Sequence, residues 1–454
     1  MCWTLLVPAS RHKTRTALAA AGAVIVVLGG CSSTPAAVAP PSSAAYGALI
    51  DMSTPQGMRS RQTMDMLNSD WSIEPAGVKT LAAPDQVDDI TYRMKWIWWD
   101  RPFKLTGIDI GAGQSTLHVT NSYGVNQDIQ LHVDGKGTVD RMEVSLRPPP
   151  VKSWADVDAA IAKSGAHYSY QVAKVVDGKC VKVAGTNVDE PMPLASIMKI
   201  YVLLAVARAV SAGTLSWDDK VTVTAEGKKL GSAGMDNLAP GTQVTVHEAA
   251  QQMISVSDNM ATDMLINKVG PAAVDEALVV AGHHDPASLT PYPTMHELFS
   301  IGWGKPDVRD QWKNGDKAQR TALLQQVSSR PYEPDPYRTR TPASSIGAEW
   351  YGTAADICRE HVAVQAAAVG AAAPVRDIMS KVAGIDLDRT KWPYLGSKGG
   401  NLPGDLGFSW YAVDHTGQPW VVNFQLTWPT FKGQTAAQWL LSIIKQAFDL
   451  IPVR

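Results

Sequence analysis

The most informative segment of this chain is residues 191–207, which read PMPLASIMKIYVLLAVA. Residues 200–207 are apolar almost without interruption, and a helix that has no polar face is normally buried. Ser196 and Lys199 stand three positions apart where this helix begins, so their side chains share one face. The segment therefore predicts a buried helix that carries a hydroxyl and an amine side by side at its N-terminal end.

This pair has the chemistry of an activated nucleophile. Burial disfavours an ammonium ion, and a neutral Lys199 amine beside the Ser196 hydroxyl can accept its proton. The backbone N–H groups at the start of the helix would also face a developing oxyanion. The Ser-x-x-Lys pattern is not specific by itself, because it also occurs at residues 10–13 and 442–445. On its own it would favour a capping serine and a lysine that extends to solvent.

Two further motifs follow along the chain. Ser-Asp-Asn at 257–259 comes directly after a predicted helix at 246–256, and Lys-Gly-Gly at 398–400 lies on a strand that precedes a predicted hairpin. Separately, the first triplet is typical of a turn and the second of a loop. The three motifs in this order, each beside a matching element, are typical of penicillin-recognising serine enzymes, in which threonine occupies the middle of the third motif.

On these motifs, the chain from about 151 to 454 resembles the serine β-lactamase and D,D-peptidase superfamily. The segment 238–242, LAPGT, is similar to the family's approach to its Ser-Asp-Asn helix. The resemblance implies an α/β fold like that of class A β-lactamases, in which an antiparallel sheet with flanking helices is combined with an all-α insert.

The resemblance also implies a role for each catalytic residue. Ser196 would attack a carbonyl carbon, and Lys199 would take its proton. Ser257 would relay a proton to the leaving group, with help from Lys398.

The same resemblance implies a substrate-binding edge. Asn259 would form a hydrogen bond with the acyl side chain of the substrate. Gly399 and Gly400 lack side chains, so substrate could lie close along their strand. The oxyanion would lie between the backbone N–H groups of Ser196 and Asn401.

One part of the family pattern is absent. Class A enzymes carry a glutamate in a Glu-x-x-Leu-Asn loop, and that residue activates the water that hydrolyses the acyl-enzyme. Here residues 281–293 read AGHHDPASLTPYP, without such a motif. Glu297 precedes a leucine but falls inside a predicted helix cap, and Asp285 is a poor substitute. We therefore predict esterase-like chemistry with weak or no β-lactamase turnover, since a general base contributes roughly 10²–10⁴-fold.

Other chemistry finds no support in the residues. The chain has no Gly-x-Ser-x-Gly elbow, and the His-Glu pairs at 247–248 and 296–297 lack the second histidine of a zinc-protease helix. His283-His284-Asp285 is followed by no further ligand at the spacing of a metal site, so we interpret it as a polar loop. The sequence thus predicts no metal and no cofactor.

The first residues predict export. Basic residues precede an apolar run at 17–28 that is too short for an ordinary membrane-spanning helix. The run ends in Leu-Gly-Gly-Cys, which resembles a bacterial lipobox; Cys31 would carry lipid, and residues 1–30 would be removed as a signal peptide. Residues 31–45 are rich in Ser, Pro and Ala and are expected to form a tether. Acyl chains would hold the mature protein at the extracytoplasmic face of the membrane; an ordinary signal peptide is the alternative.

Two cysteines remain after export. Cys2 would leave with the leader and Cys31 would be acylated, so Cys180 and Cys358 would stand in an oxidising compartment. A disulfide between these two and a pair of buried free thiols are both compatible with the sequence.

A proline run at 148–150 divides the chain, because prolines cannot continue a helix or an inner strand. Residues 46–147 predict a small α+β domain of nuclear-transport-factor-like or cystatin-like shape, with a helix at 55–67. The strands predicted there lie at 90–98, 116–122, 129–133 and 139–146. The tryptophans at 96, 98 and 99 are expected in core and interdomain packing.

After the prolines, the resemblance implies a β-lactamase-like domain over residues 151–454. Helix caps are predicted at Ser153, Thr245, Thr294 and Thr353. A first hairpin is predicted around Asp177-Gly178, a second around 414–417, and a last helix at 434–450. This two-domain layout, the Lys-Gly-Gly variant and the lipobox resemble mycobacterial LpqF-type lipoproteins and the two-domain esterase-like proteins of clavulanic acid gene clusters.

Composition limits the partners. The chain has 454 residues and a net charge of −2, with 45% hydrophobic and 19% charged residues. That composition allows two packed domains and provides no basic field for nucleic acid. We expect a small-molecule or cell-wall ester or amide as substrate. Two alternatives stay open: a D,D-peptidase that acts on peptidoglycan, and a non-catalytic receptor with a vestigial pocket.

Overall fold

The structure of the chain is a computed structural model, and it describes residues 49–231, 233–289 and 291–453. The predicted signal peptide at 1–30, the tether at 31–45 and the lipidation site Cys31 lie outside the described residues.

The N-terminal unit packs three helices against a four-stranded antiparallel sheet. The helices are α1 (Pro55–Leu67), α2 (Pro75–Val78) and α3 (Val87–Trp98). The strands pair in chain order and are β1 (Lys104–Gly111), β2 (Gln114–Thr120), β3 (Asn126–Val133) and β4 (Val139–Leu146). Burial alternates along β2 and β3, so one face of the sheet contacts the helices. The prediction of helix α1 is confirmed with the bounds expected from the sequence.

The predicted strand at 90–98 is wrong, because this segment belongs to helix α3. Ile90, Met94 and Ile97 are completely buried, and their spacing of four and three residues places them on one helical face. Acidic residues in the first turn and Lys95 in the last turn also suit the helix dipole. Strand β1 was not predicted, since Leu105 is its one fully buried residue and the segment lacks a clear alternation.

The C-terminal unit is built on a five-stranded antiparallel sheet. Two strands come early in the chain, β5 (His167–Val176) and β6 (Lys179–Thr186). Three come late, β11 (Tyr394–Leu402), β12 (Asp405–Val413) and β13 (Pro419–Thr427). Their spatial order is β11-β12-β13-β5-β6, so distant parts of the sequence meet in one sheet, as predicted. Helices α4 (Trp154–Lys163) and α15 (Gln434–Asp449) pack on one face of this sheet.

A helical region connects β6 to β11 and covers the other face of the sheet. Its helices are α5 (Lys199–Ser211), α6 (Ala225–Lys228), α7 (Val246–Ser255), α8 (Asn259–Val269), α9 (Pro271–Ala281), α10 (Met295–Trp303), α11 (Arg309–Asn314), α12 (Lys317–Ser328), α13 (Ala354–Ala367) and α14 (Pro374–Ser380). Two short antiparallel pairs join them, β7 (Met192–Pro193) with β10 (Tyr351–Gly352) and β8 (Lys220–Thr222) with β9 (Gln243–Thr245). The predicted α/β class of this unit is confirmed.

The four predicted helix caps are also confirmed. Thr245, Thr294 and Thr353 each form a reciprocal capping box at the start of a helix. Ser153 accepts a hydrogen bond from the Asp156 N–H. The Asp156 carboxylate accepts from the backbone N–H of Lys152, and the capping box is incomplete. These caps fix where the helices around the site begin.

The two units meet at a junction of aromatic and polar contacts. The Trp96 indole N–H donates to the side-chain oxygen of Gln434, and the Trp99 ring lies 5.8 Å from that of Phe431. Asp100 is buried and accepts a hydrogen bond of 3.3 Å from the Gly433 N–H. The interdomain packing predicted for the tryptophans is therefore confirmed for Trp96 and Trp99.

In the described part of the chain, no single helix has the length and hydropathy of a membrane span; α13 and the segment Gly370–Ser380, bent by 114° relative to each other, meet that test only when taken together.

A disulfide ties β6 to α13. The sulfurs of Cys180 and Cys358 lie 1.96 Å apart, and the two residues are separated by 178 positions in the chain. The bond therefore connects the edge of the sheet to the helix that covers it. Cross-linking such distant positions stabilises a fold chiefly by restricting the unfolded chain.

We expect the double variant Cys180→Ala/Cys358→Ala to lose about 2–4 kcal/mol in the free energy of unfolding, measured by urea titration. A reductant should lower the stability of the unchanged protein by a similar amount and leave the variant unaffected. If the unchanged protein and the double variant were equally stable without reductant, the disulfide would not stabilise the fold.

Candidate active site

The predicted nucleophile sits in a tight turn before α5. Ser196 is 8% exposed and lies in a 3₁₀ turn, Ala195–Met198, that runs directly into α5. Leu194 donates a backbone hydrogen bond of 2.8 Å to Trp350, which anchors the segment just ahead of the turn. Ala195 has a φ of 46°, in the left-handed region that side chains other than glycine rarely adopt. Such strain persists only where neighbouring structure enforces it, and it is common at functional sites.

Lys199 opens α5 and is completely buried. Its amine donates hydrogen bonds of 2.7 Å to the carbonyl of Ser257 and 2.7 Å to the side-chain oxygen of Asn259, and lies 3.2 Å from the Ser257 hydroxyl. In its neutral form this amine has a lone pair that can accept a proton from a hydroxyl. Burial favours the same neutral form.

Lys398 approaches Ser257 from the opposite side. Its amine lies 3.0 Å from the Ser257 hydroxyl oxygen and 2.6 Å from the carbonyl oxygen of Gly399. Ser257 itself has a φ of 61°, again in the left-handed region. Two lysines, more than a hundred residues apart in sequence, therefore meet at one hydroxyl.

The rest of the Ser-Asp-Asn motif holds this arrangement together. Asp258 caps α8 by accepting from the Ala261 N–H at 2.8 Å, and its second oxygen accepts from the Gly234 N–H at 3.0 Å. The side-chain amide of Asn259 donates to the carbonyl of Leu230 at 2.8 Å. Asn259 is 4% exposed and so braces Lys199 and the 230 loop from within, a role that was not predicted. Its contact with substrate stays a prediction.

Strand β11 passes against the nucleophile turn. A Cβ atom added at Gly400 would lie 2.6 Å from the backbone nitrogen of Ser196 and 2.8 Å from the carbonyl oxygen of Leu194. Glycine is therefore required here by the turn itself, in addition to any substrate. A Cβ at Gly399 would lie 3.2 Å from the Phe408 ring. Asn401, the next residue along β11, is exposed at the mouth of the site.

A hydrogen-bond chain supports Lys398 from behind the sheet. The Ser409 hydroxyl donates to the Lys398 carbonyl at 2.9 Å, and the Nε2 of His361 lies 2.9 Å from the Ser409 oxygen. Because the hydroxyl hydrogen is used by the carbonyl, His361 must carry its proton on Nε2 and donate. Burial lowers the pKa of His361 to about 3, so the ring stays neutral. No motif in the sequence indicates this chain.

Two buried carboxyl groups lie beside the turn and were also missed. Glu349 accepts from its neighbour Trp350 at 2.9 Å and from the backbone of Ala195, and Asp405 accepts from Thr427 at 2.6 Å. One oxygen of each acid has no hydrogen-bond partner in the part of the chain that the structure describes. Burial and mutual repulsion raise the pKa of Glu349 well above its usual range, and burial raises that of Asp405 to about 6. The pair therefore holds at least one proton near neutral pH.

A third buried acid, Asp263 on α8, joins α8 to α10. It accepts hydrogen bonds from the backbone of Met295 at 2.7 Å and of His296 at 2.9 Å. Burial raises its pKa to about 7, and these two backbone hydrogen bonds oppose that shift. The residue resembled an ordinary helical position in the sequence, so no signal marked it.

The acids considered as deacylating bases have structural partners. Glu297 caps α10, with one carboxylate oxygen accepting from the Thr294 N–H at 2.8 Å and the other from the Ser328 hydroxyl. Asp285 accepts from the Ser288 N–H at 3.3 Å in a short turn. Neither contact involves the nucleophile turn.

The histidine pair at 283–284 comes close to Asp356, and one possible ligand atom from each residue lies within 4.8 Å of the others. These atoms already form hydrogen bonds within the protein. His283 Nε2 lies 3.0 Å from the Tyr351 carbonyl oxygen, and its Nδ1 accepts from the Asp285 N–H. Asp356 caps α13 and also accepts from His284. The arrangement fits a helix cap better than a metal centre.

The third Ser-x-x-Lys pattern lies on α15, away from this cluster. The Ser442 hydroxyl donates to the Trp439 carbonyl at 2.6 Å, and Lys445 pairs with Asp386 at 3.1 Å. The middle pattern is thus the one that the fold brings to Ser257 and Lys398.

A cleft of about 890 Å³ opens beside the site. Its lining includes Ser257, Lys398 and Asn401 of the C-terminal unit and Trp96 and Leu146 of the N-terminal unit. Its volume is at the upper end of the range for small-molecule sites. Both units therefore form the walls of one cleft.

Known proteins match both units. Residues 152–307 match a family model described as the β-lactamase enzyme family, and residues 51–139 match one described as ORF 12 gene product N-terminal. β-Lactamase VEB-1 of Pseudomonas aeruginosa is 28% identical over 105 residues, which are 23% of this chain and 35% of VEB-1. The chain thus matches only about a third of the length of this relative.

Solved structures of similar shape include two bacterial β-lactamases. That of Sphaerobacter thermophilus is 22% identical, with a TM-score of 0.45, over 66% of this chain and 100% of that one. The chromosome-encoded β-lactamase of Vibrio parahaemolyticus is 16% identical, with a TM-score of 0.45, over 66% of this chain and 99% of that one.

The C-terminal unit has the fold of a penicillin-recognising serine hydrolase, with an antiparallel sheet, a helical insert and the three motifs at one site. The match over 152–307 and the three motifs make this unit similar to the serine β-lactamase and penicillin-binding-protein superfamily, as the sequence predicted. The finer likeness to LpqF-type lipoproteins stays a prediction.

We expect Gly400→Ala to lower kcat/KM by about 10²-fold or more, because a methyl group would displace the nucleophile turn. The control is Gly111→Ala on β1, where an added Cβ meets nothing within 4 Å. Steady-state kinetics with an activated ester, together with circular dichroism, will separate a local effect from misfolding. Full activity of a folded Gly400→Ala protein would contradict the tight contact.

The buried acids also predict a pH dependence of stability. From about pH 4 to about pH 6, folded Asp405 keeps a proton that the unfolded chain has released, so the free energy of unfolding falls as pH rises through this window. Asp405→Asn should remove about 1–3 kcal/mol of that fall in urea titrations across the window. The exposed acid variant Asp386→Asn should keep the slope of the unchanged protein. If the free energy of unfolding fell with pH at the same slope in all three proteins, the raised pKa would not belong to Asp405.

Proposed function

We propose that this protein is a serine hydrolase that forms an acyl-enzyme through Ser196 and acts on esters. The observation that carries the proposal is the Ser257 hydroxyl, which lies 3.2 Å from the Lys199 amine and 3.0 Å from the Lys398 amine beside the nucleophile turn. Two amines that share this hydroxyl beside the turn of Ser196 can move a proton from the attacking group to the leaving group.

Acylation uses these groups in sequence. Lys199 accepts the Ser196 proton as the serine oxygen attacks the carbonyl carbon, and a tetrahedral oxyanion forms. The backbone N–H groups of Ser196 and Asn401 would stabilise its charge. Ser257 then gives its proton to the departing alcohol oxygen and regains one from Lys199, so that the ester bond breaks and an acyl-serine remains. Lys398 orients the Ser257 hydroxyl throughout.

Hydrolysis of the acyl-serine needs a base for the attacking water. The acids nearest to the family's usual position, Glu297 and Asp285, are engaged in helix and turn contacts. Lys199, neutral again after acylation, is the group left to accept the water proton.

We further propose that the protein works outside the cytoplasm, anchored through a lipid on Cys31. The basic start, the short apolar run and the Leu-Gly-Gly-Cys sequence support this location. The disulfide between Cys180 and Cys358 suits an oxidising compartment.

The proposal is tested with small activated esters and two covalent probes, a fluorescent penicillin and a fluorophosphonate. We expect ester hydrolysis and both labels to depend on Ser196, so that Ser196→Ala loses about 10³-fold or more in kcat/KM. Ser329→Ala, at the exposed serine that follows α12, is the matched control and should retain full activity.

Each rival function predicts a different result. A receptor would give no Ser196-dependent adduct. A D,D-peptidase would keep the penicilloyl label for a long time and hydrolyse no small esters. Hydrolysis of penicillins at the rate of class A enzymes would contradict the expected lack of a dedicated deacylating base.

A further inference from the structure

The cleft that leads to Ser257 and Lys398 extends well beyond the catalytic cluster. We call the part of its wall that includes Trp96, Val144 and Leu146 of the N-terminal unit its far end, and Phe431 and Leu441 add to the apolar surface of the cleft. An apolar wall of this kind favours the carbon skeleton of a ligand over bulk water. A small acyl group at Ser196 would leave this part of the cleft unfilled.

Five positively charged side chains line the cleft, and four of them have an evident partner. Lys229 pairs with Glu226 at 2.9 Å, and Lys445 pairs with Asp386 at 3.1 Å. Lys398 is held by Ser257 and Gly399, and Lys432 lies close to the buried carboxyl of Asp100. The fifth is Arg340.

Arg340 has aromatic neighbours but no acidic partner among residues 49–231, 233–289 and 291–453. Its guanidinium carbon lies 3.8 Å from the centre of the Trp99 ring and 5.9 Å from that of Phe431. Arg340 is exposed overall, and partial burial of its guanidinium lowers its pKa with no carboxylate opposing that shift. The aromatic stack fixes the plane of the guanidinium and leaves its N–H edge available for a bidentate contact.

Arg338, two residues earlier in the same loop, shows the contrast. It forms ion pairs with Asp307 and Asp335, which hold the loop to its surroundings. The arginine that holds this loop in place is therefore Arg338, and both of these acids are its partners. The unmatched charge at Arg340 instead faces the cleft that the two units share.

We propose that Arg340, seated on Trp99 of the N-terminal unit, binds an anionic group of the substrate at the far end of the cleft. The substrate class is an ester whose reacting carbonyl reaches Ser196, whose apolar body fills the cleft and whose other end carries a carboxylate or a phosphate. Both anions present oxygens that match a guanidinium edge. This inference rests on the ester hydrolysis proposed at Ser196, and it makes Arg340 a specificity-determining residue.

The test compares 4-nitrophenyl esters of one chain length whose acyl chains end in a carboxylate, a phosphate or a neutral methyl ester. We expect at least one anionic ester to exceed the neutral one in kcat/KM by about 10–100-fold, the range of a charged hydrogen bond. The preferred anion identifies the substrate class. The ratio of interest is kcat/KM for the preferred anionic ester divided by kcat/KM for the neutral ester. Arg340→Met should reduce this ratio to about threefold or less, and Arg340→Lys should restore part of it.

Arg376→Met is the matched control. Arg376 also stacks on an aromatic ring, 3.9 Å from the centre of Tyr394, but it donates to Gln365 and lies outside the cleft. This variant should keep the ratio of the unchanged protein. A ratio near one in the unchanged protein, or the same ratio in Arg340→Met, would overturn the proposal.

A binding experiment separates this inference from the proposed catalysis. Calorimetry on the Ser196→Ala protein measures the affinity of a non-reactive amide with the same anionic chain, and Arg340→Met should weaken it by about tenfold or more. If no ester is hydrolysed but this Arg340-dependent binding is found, the function at Ser196 fails and the anion site stands. If esters are hydrolysed and the binding does not depend on Arg340, the anion site fails.

Discussion

The site depends on one hydroxyl held between two amines. Ser257 can stand between Lys199 and Lys398 only because its backbone adopts the left-handed conformation and Asp258 caps the helix that follows. The position of the Ser257 hydroxyl also constrains its neighbours, which are the turn at Ala195, the start of α5 and strand β11. Two amines around one hydroxyl also repel each other when both are charged, which favours a neutral amine beside the nucleophile.

Much of the surrounding structure serves to keep this arrangement in place. Gly400 allows β11 to touch the nucleophile turn, and the chain from His361 through Ser409 fixes the carbonyl of Lys398. The carboxyl of Glu349 meets the backbone of Ala195 from the buried side. These supports come from strands and helices far apart in sequence, so the strain at Ala195 and Ser257 is enforced by the tertiary fold.

The parts that could be predicted from the sequence are those with a local signal. The motif residues, the reciprocal caps at Thr245, Thr294 and Thr353 and the terminal hairpins follow from short-range chemistry, and the structure has them close to their predicted bounds. Helix α3 was mistaken for a strand because its aromatic residues obscured a helical period of burial. Asp263, Glu349 and His361 gave no signal, since burial by distant elements is what makes each of them unusual.

The division of the cleft between two units separates reactivity from recognition. In the proposed mechanism every group that would move a proton belongs to the C-terminal unit, whereas Trp96 and Leu146 line the far end of the cleft and Trp99 supports Arg340 there. The junction that fixes this wall has its own buried acid, Asp100, whose pKa burial raises to about 6. Under the proposed function, changes in the N-terminal unit would therefore alter which ester fits while the distances around Ser257 stay the same.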